Sequence, residues 1–378
     1  MMESKNLLLP GAYLGMLGGG QLGGFFSEAA LRMGYKVVVW DPNEKAPAKR
    51  FAEKSQSTDF LDFESADFFL NDVDAVSLEW ENVPSELVQF LEDKTIVRPS
   101  SKSLALAQNR ITEKTYLTNN SFPLTDFCPI YSFDDFEKVQ FDMPWIVKTA
   151  TLGYDGHGQW SINQVDDLQS IEGEGPWVAE SKVEYLCEIS VIVASDGSGK
   201  TMSFPVIENT HSENILRMSI YPARIPNKTQ INAKNIAEKV VSSLGDAGVF
   251  CVEMFMVDED TVLVNEIAPR PHNSGHLTID AFSISQYEMQ VRVLCGLPLS
   301  QPLPLGPVVM LNVLGFEMEN LLKSDLMDEI LDKTNCKLYM YGKDQIKNRR
   351  KLGHIIFTGT ELCDLITQAN FVHEKIKV

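Results

Sequence analysis

Residues 263–276 read LVNEIAPRPHNSGH, an apolar strand pattern that breaks at two prolines into a loop of polar side chains. An upstream apolar run that ends at Val257 also has strand character, and four residues of turn composition follow it. A symmetric hairpin pairs Val257 with Val262 and therefore places Glu253 opposite Glu266. This arrangement is the feature from which the rest of the chain can be interpreted.

Two opposed carboxylates on one sheet face repel each other, and burying them without partners costs several kcal/mol. A hard divalent cation removes both penalties, and carboxylate oxygens suit the Mg²⁺ that accompanies a nucleotide. The alternative is a solvated sheet edge, but Asn265 and the polar loop at residues 270–273 lie directly beside the pair. The sequence therefore predicts that Glu253 and Glu266 bind magnesium.

The composition argues against several classes of protein. The chain has 378 residues, 44% of them hydrophobic, which favours two or three domains with sizeable cores. A net charge of −19 argues against nucleic acid or an acidic membrane surface as the main partner. No apolar run approaches a membrane span, and the start lacks a signal-peptide pattern. The six cysteines have no paired spacing, so we expect reduced thiols and a cytoplasmic protein.

A glycine-rich turn near the start, GGGQLGG at residues 18–24, lies between a predicted strand and helix, and the next strand ends at Asp41. This pattern is typical of a dinucleotide site with Asp41 at the ribose, so an NAD-binding oxidoreductase is one hypothesis. The backbone N–H groups of such a turn bind any phosphate, and the glycines could also serve packing alone. Gln21 and Glu81 follow strands of this unit, where ligands gather, and the unit is expected to span residues 1–98.

The middle of the chain has features of a triphosphate site. Lys148 interrupts an apolar strand, and a buried lysine usually has an anionic partner. The glycine-rich loop at residues 153–159 joins that strand to another strand, so it is not a Walker A loop, which leads into a helix. Such a loop suits closure over phosphate oxygens, although it could be an ordinary hairpin. Arg110, in a helical region predicted for residues 101–119, has by itself the character of an exposed charge.

Further features follow toward the end of the chain. A strand at residues 177–183 runs into a connection of the kind whose backbone binds adenine, and Glu188 follows as an acid for the ribose hydroxyls. His211 carries little weight alone. A proline-marked linker leads to a β-rich tail from about residue 308, which contains a basic cluster at residues 343–351. Such clusters are usually solvated surface, but in a chain this acidic the cluster is typical of a phosphate clamp.

The chain resembles the ATP-grasp enzymes through five motifs taken together, namely GGGQLG, EWENVP, VKTATLGYDGHGQ, NEIAPRPHNSGH and RRKLGH. Within that superfamily it is similar to the N5-carboxyaminoimidazole ribonucleotide synthase family of purine biosynthesis. The resemblance implies a Rossmann-like α/β domain at residues 1–98, an ATP-grasp domain at 99–305 and a small β-rich C-terminal domain at 306–378, assembled as a homodimer. The implied reaction joins bicarbonate to 5-aminoimidazole ribonucleotide while ATP gives ADP and phosphate. A separate mutase protein would receive the product.

The resemblance also implies roles for individual residues. ATP would be bound by Arg110, Lys148, Gly153, Tyr154, Asp155, Gly156, His157, Gly158, Gln159, Glu180, Ser181, Lys182, Val183, Glu188, His211, Asn265 and Glu266. The ribonucleotide would be bound by Gln21, Leu22, Glu81, Tyr154, Asn273, Ser274, Lys343, Arg350 and Lys351. Asp155, Arg270, His272 and Asn273 would be catalytic, at the place where carboxyphosphate forms and yields carbon dioxide. Glu253 and Glu266 would carry the magnesium.

The nearest alternative is the related formate-dependent glycinamide ribonucleotide transformylase. That family carries an acid where this chain has Gln21 and an aspartate where it has Asn273. Amide partners fit a neutral aminoimidazole better than an aliphatic ammonium, which favours bicarbonate and the imidazole substrate. The phosphate loop departs from the family in having His157 in place of a lysine or arginine, together with Leu152 and Ala150 at positions usually glycine and basic.

Overall fold

The structure is a computed structural model that describes residues 7–153, 157–347 and 349–377. Its strands are β1 (Tyr13–Leu17), β2 (Lys36–Trp40), β3 (Lys54–Gln56), β4 (Ala75–Leu78), β5 (Ile96–Val97), β6 (Phe127–Ile130), β7 (Trp145–Thr149), β8 (Gln159–Ile162), β9 (Trp177–Ser181), β10 (Cys187–Asp196), β11 (Thr201–Ser203), β12 (Ile207–Ser212), β13 (Ile215–Tyr221), β14 (Ala247–Met256), β15 (Val262–Ala268), β16 (Val308–Leu314), β17 (Cys336–Met340) and β18 (Lys351–Thr358).

The α-helices are α1 (Gln21–Arg32), α2 (Phe63–Leu70), α3 (Ser85–Glu92), α4 (Ser101–Gln108), α5 (Arg110–Asn119), α6 (Asn227–Leu244), α7 (Thr278–Ala281), α8 (Gln286–Leu294), α9 (Glu317–Leu321), α10 (Ser324–Leu331) and α11 (Leu362–Ile376). Short 3-10 helices cover Pro47–Phe51, Phe133–Lys138, Val165–Ser170 and Asn273–Leu277. No helix within the described ranges is both long enough and apolar enough to cross a membrane.

The first sheet is parallel, with the strand order β3-β2-β1-β4-β5. Its central strands are apolar along almost their whole length and buried on both faces, as is usual for a parallel sheet covered by helices. One core, around Phe26, lies between the sheet and α1, and the other, around Trp40 and Phe69, lies under α2 and α3. The order reverses between β1 and β4, so the turn after β1 and the segment after β4 lie side by side, where ligands gather in such sheets.

The second sheet is antiparallel, in the order β6-β9-β7-β8. Strands β7 and β9 pair so that Ile146 faces Glu180 and Lys148 faces Val178. The aromatic side chains of Phe136, Trp145 and Trp177 form the core on the other face. The sheet therefore presents two charged residues from neighbouring strands on one side.

The third sheet runs β15-β14-β10-β12-β13-β16-β18-β17, with β11 beside β10. Helix α6 packs on one face around Val240, and α8 packs on the other around Met289. Strand β13 pairs with β16, so the strands after residue 305 extend this sheet without a break. The helix α11 covers that extension through Leu365 and Val372.

The helical region predicted for residues 101–119 is confirmed, and the structure divides it into two helices, α4 and α5. Asn109 has extended backbone angles, and its side-chain oxygen accepts from the N–H groups of Ile111 and Thr112. Asparagine is a strong N-cap because its short side chain satisfies these orphan donors. The break makes Arg110 the first residue of α5.

Candidate active site

A cavity of about 1110 Å³ is lined by residues of the second and third sheets and by residues that follow strands of the first sheet. Gln21, Leu22 and Glu81 reach it from the first sheet's unit, and Arg110 reaches it from α5. The other site residues on its wall are Lys148, Gly153, His157, Gln159, Glu180, Ser181, Lys182, Val183, Glu188, His211, Glu253, Asn265, Glu266, Arg270, His272, Asn273, Lys343, Arg350 and Lys351. The fold therefore gathers into one cavity side chains that are more than 300 positions apart in sequence.

The hairpin of β14 and β15 pairs Glu253 with Glu266, so the predicted opposition of these carboxylates is confirmed. Met256, rather than Val257 as predicted, is the last paired residue before the turn. A β-bulge beside Glu253 then shifts the register by one residue, because Asn265 is an extra residue on β15, and this shift brings Glu253 opposite Glu266. A bulge interrupts the alternation of side chains, which explains how Asn265 and Glu266 can both line the cavity.

Each opposed carboxylate contacts a cationic side chain. Glu253 Oε1 lies 2.7 Å from His272 Nε2, and Glu266 Oε2 accepts from Arg110 Nη1 at 2.6 Å. Burial disfavours the charged form of Glu253, but the proximity of His272 outweighs it and lowers the pKa of the carboxyl to about 2.

The residues present fit a magnesium ion held partly by a nucleotide. In the part of the chain that the structure describes, no group of three or more His, Cys, Asp or Glu side chains is arranged to hold a metal ion. Magnesium is usually bound through one or two carboxylates, with phosphate and water oxygens completing the shell. Glu253 and Glu266 supply such a pair, on facing strands at the cavity wall.

Glu180 is the anionic partner that the sequence predicted for a buried Lys148. Lys148 Nζ lies 3.1 Å from Glu180 Oε1 and 3.5 Å from Asn265 Oδ1. Glu180 also forms an ion pair with Lys114 of α5, at 3.1 Å. Burial opposes ionisation of Glu180, but the two lysines outweigh it and lower its pKa to about 2. The carboxylate of Glu180 therefore forms ion pairs with two lysines inside the protein.

Sequence reasoning missed two residues of α5, Glu113 on the cavity wall and Lys114 behind it. Glu113 accepts from the backbone N–H of Ile267 at 2.6 Å, next to Glu266. Burial, followed by the charge of Glu266, raises the pKa of Glu113 to about 8. The available signal was helical spacing, since positions three and four after Arg110 share its face.

The predicted adenine and ribose residues lie together beside the end of β9. Ser181 ends β9, and Lys182 and Val183 continue along the cavity wall. Glu188 accepts from the hydroxyl of Tyr185 at 2.6 Å, and its other oxygen lies 2.6 Å from His211 Nδ1.

The glycine-rich turn after β1, whose backbone N–H groups could bind a phosphate, donates hydrogen bonds to carboxylates of the protein. Asp41 accepts from Gly19 N at 2.6 Å, and Glu79 accepts from Gly20 N at 2.5 Å and Gly23 N at 2.9 Å. Carboxylates of the protein thus accept from three backbone N–H groups of this turn. Burial raises the pKa of Glu79, and these two N–H groups offset part of that effect. Sequence reasoning did not identify Glu79, because its position after β4 gave no sign of this contact.

The loop after β15 is held from two sides. Arg270 Nη2 lies 2.5 Å from Glu81 Oε2, which joins this loop to the first sheet's unit. Asn273 Oδ1 accepts from Asn312 of β16 at 2.6 Å. Ser274 is fully buried behind the cavity wall, where its hydroxyl lies 2.9 Å from His272 Nδ1. The acceptor oxygen of Asn273 and the hydroxyl of Ser274 are therefore engaged within the protein.

The predicted basic residues of the tail reach the same cavity. Lys343 Nζ donates to the carbonyl of Lys351 at 2.9 Å, and Arg350 Nη1 donates to the carbonyl of Gln345 at 3.2 Å. Lys351 begins β18, beside the buried strand β16. Lys343, Arg350 and Lys351 therefore place three cationic side chains on the cavity wall.

The phosphate loop is only partly within the described residues. Tyr154, Asp155 and Gly156, to which nucleotide, substrate or catalytic roles were assigned, lie outside them. Gly153 O lies 3.5 Å from Arg110 Nη2, and the carbonyl of Gly158 accepts from Thr149 N at 2.8 Å. The described ends of the loop are thus anchored beside Lys148.

Family models match three consecutive regions of the chain. The ribonucleotide synthetase preATP-grasp domain matches residues 12–108, and the ATP-grasp domain matches residues 115–287. The phosphoribosylaminoimidazole carboxylase C-terminal domain matches residues 308–368. These matches confirm the predicted fold class, with a preceding α/β domain and a small C-terminal domain.

Individual relatives cover nearly the whole chain. An N5-carboxyaminoimidazole ribonucleotide synthase of Bacillus subtilis is 37% identical over 359 residues, covering 94% of this chain and 93% of its own length. A Staphylococcus aureus N5-carboxyaminoimidazole synthetase, solved with ADP, superposes with a TM-score of 0.91 at 33% identity, covering 97% of this chain and 98% of its own. An Aspergillus clavatus synthase solved with ADP and 5-aminoimidazole ribonucleotide gives a TM-score of 0.87 at 26% identity, covering 98% and 99%.

Proposed function

The chain belongs to the N5-carboxyaminoimidazole ribonucleotide synthase family of ATP-grasp enzymes, and we propose its mechanism on that basis. It is a ligase that binds ATP and carboxylates 5-aminoimidazole ribonucleotide in purine biosynthesis. The single observation that carries the assignment to these residues is the cavity itself. Its wall carries the opposed carboxylates Glu253 and Glu266, the buried Lys148 and the basic cluster at residues 343–351.

ATP binds between the second and third sheets in this proposal. The backbone of residues 180–183 contacts the adenine, Glu188 and His211 contact the ribose, and Arg110 and Lys148 contact the phosphates. Glu253 and Glu266 would hold Mg²⁺, which supplies charge neutralisation during phosphoryl transfer. The loop at residues 153–159, together with Asn265, completes the nucleotide site and excludes water.

The ribonucleotide binds on the opposite side of the cavity. Lys343, Arg350 and Lys351 bind its phosphate. Gln21, Leu22 and Glu81 contact it from the first sheet's unit, and the loop at residues 273–274 supports it from behind. Such a distribution of charge suits a ligand with one anionic end and a neutral amine at the other.

The chemistry begins with bicarbonate, which is a poor electrophile until an oxygen is phosphorylated. A bicarbonate oxygen attacks the γ-phosphorus, the bond to the ADP oxygen breaks, and carboxyphosphate forms. Carboxyphosphate then loses phosphate to give carbon dioxide, and the amine nitrogen attacks that carbon and releases a proton to phosphate or Asp155. Arg270 and His272 hold the carboxylate, because both are cationic groups on the cavity wall.

Four further predictions belong to this proposal. The family resemblance implies the domain boundaries at residues 98 and 305, the homodimer and the separate mutase that receives the product. The cytoplasmic location is inferred from the unpaired spacing of the cysteines.

The isotopic test of this mechanism uses bicarbonate labelled in all its oxygens. The released phosphate is expected to carry one labelled oxygen, only when ATP and 5-aminoimidazole ribonucleotide are both present. Release of unlabelled phosphate would rule out carboxyphosphate as the intermediate. A parallel reaction with labelled formate and glycinamide ribonucleotide serves as the matched control. Formate label in its product would assign the chain to transformylase chemistry instead.

A further inference from the structure

A buried group of three charged residues, which we call the lysine pair and its carboxylate, lies between α5 and the second sheet. It consists of Lys114, Lys148 and Glu180, with relative side-chain exposures of 1%, 12% and 3%. Both lysines lie 3.1 Å from an oxygen of the same carboxylate. Only Lys148 of the three belongs to the proposed phosphate contacts, so the role of Lys114 is unassigned.

The charges of this group do not cancel. Glu180 has two cations and can neutralise one of them, so the group carries a net positive charge at the cavity wall. If Lys148 were the sole partner of Glu180, its charge would be neutralised and its attraction for a phosphate would be weaker. A second buried lysine is costly to desolvate, and a chain that needed only a packed core could place an apolar residue there.

The position of Lys114 excludes direct contact as its main role. It lies one helical turn beyond Arg110 on α5 and does not line the cavity, whereas Lys148 does. The two lysines share the carboxylate of Glu180, since Lys114 contacts Oε2, whereas Lys148 contacts Oε1 at 3.1 Å and Oε2 at 3.2 Å. The hydroxyl of Thr125 also lies 3.4 Å from Glu180 and helps to fix that carboxylate.

We propose that Lys114 is a positioning residue that balances the charge of Glu180 and so leaves the charge of Lys148 available to the nucleotide phosphates. The inference rests on the proposed function, because it assumes that a nucleotide polyphosphate occupies this cavity. It assigns to α5 a role in phosphate affinity that is distinct from the direct contact of Arg110.

The experiment compares ADP with adenosine, which lacks phosphates, by calorimetry at one magnesium concentration. Lys114→Met keeps the length of the side chain and removes its charge, and Glu180 keeps Lys148 as a partner, so no buried carboxylate is left unpaired. The Kd for ADP is expected to rise by about tenfold or more, whereas the Kd for adenosine stays within about twofold. Lys114→Arg is expected to bind ADP like the wild type.

A second variant separates charge balance from simple packing. The double variant with Lys114→Met and Glu180→Gln again has one net positive charge, on Lys148, and is expected to recover most of the lost ADP affinity. Lys337→Met, which removes a lysine paired with the buried Asp280 away from the cavity, is the matched control and leaves both affinities unchanged.

The outcomes separate this inference from the proposed function. A wild type that does not bind ADP overturns both. A wild type that binds ADP, with Lys114→Met binding it equally well, overturns only the role of Lys114. Equal losses of ADP and adenosine, or a double variant that stays as weak as the single one, show that Lys114 shapes the site by packing and overturn charge balance.

Discussion

At the scale of single residues, the site depends on one extra residue in β15. Without the bulge at Asn265, strict alternation would direct Asn265 and Glu266 to opposite faces of the sheet. With the bulge, both lie at the cavity while Glu253 still faces Glu266. The two carboxylates are thus held by backbone pairing on rigid strands, which favours a fixed geometry for a shared cation.

The first prediction concerns this carboxylate pair. Glu253→Gln and Glu266→Gln each keep the shape of the side chain but remove a negative charge from the magnesium site. Each is therefore expected to lower ATP turnover by about a hundredfold or more, with the far-UV circular dichroism unchanged. Turnover is measured as ADP release at a fixed, ordinary magnesium concentration.

The matched control for that prediction is Glu259→Gln, in the exposed turn of the same hairpin, which should keep wild-type turnover. Near-normal turnover of either site variant would show that the hairpin does not carry the metal.

At the scale of elements, aromatic rings join the three parts of the molecule. Phe25 of α1 contacts His276, Tyr341 and His354, with ring centroids 5.2, 6.0 and 5.8 Å away. The hydroxyl of Tyr341 lies 2.9 Å from His354 Nδ1, and that of Tyr287 lies 2.7 Å from His276 Nδ1. Both histidines are fully buried, so the cluster forms a junction that water does not reach.

The second prediction is the pH dependence of stability that this junction causes. Burial lowers the pKa of His354 from 6.5 to about 3, so the folded protein keeps the ring neutral where the unfolded chain protonates it. Stability from this group is therefore complete above pH 6.5 and falls as the pH drops toward 3, by up to about 1.4 kcal/mol per pH unit. Between pH 6.5 and 5 the wild type should lose about 2 kcal/mol of unfolding free energy through this group, and His354→Phe should not show that loss.

The measurement is urea unfolding of both proteins at pH 8, 6.5, 5.5 and 5. The slope with pH is compared, and absolute stability is not, because the variant also loses the contact with Tyr341. His373→Phe, at a partly buried histidine of α11, is the control and should change the slope much less. Identical slopes for the wild type and His354→Phe would mean that the His354 ring is protonated in the folded state.

At the scale of the whole molecule, the third sheet continues through the predicted boundary at residue 305. Strand β16 pairs with β13 on one side and with β18 on the other, so it is a central strand. Every residue of β16 is buried. The tail therefore completes the core of the middle region and also carries the basic clamp, which couples folding to assembly of the site.

The third prediction follows from that continuity. A chain ended after Leu305 exposes the apolar face and free edge of β13, so it is expected to aggregate and to lose cooperative unfolding. A chain ended after Ile376 keeps β16 to β18 and α11 and should unfold like the full chain. Size-exclusion chromatography and far-UV circular dichroism during thermal unfolding report the difference. A monomeric, cooperatively folded chain ended at Leu305 would contradict it.

The fold class, the β-α-β opening and the facing pair Glu253 and Glu266 could be predicted from the amino-acid sequence. These features depend on local patterns: apolar runs, turn composition and the two-residue period of a strand. The family could also be predicted, because five separated motifs occurred together. The residues on the cavity wall could be named from that resemblance, although their contacts could not.

Which donors and acceptors already have partners within the protein became clear from the three-dimensional structure alone. No local pattern specifies the bulge at Asn265, the hydrogen bonds from the glycine turn to Glu79 or the pairing of Lys114 with Glu180. Each depends on the register of two strands or on segments that are distant in sequence. Glu79 and its glycines are more than 50 positions apart, and Lys114 and Glu180 are more than 60 apart. Such contacts are chosen by the packing of whole sheets and helices, because a buried charge must find a partner wherever the fold brings one.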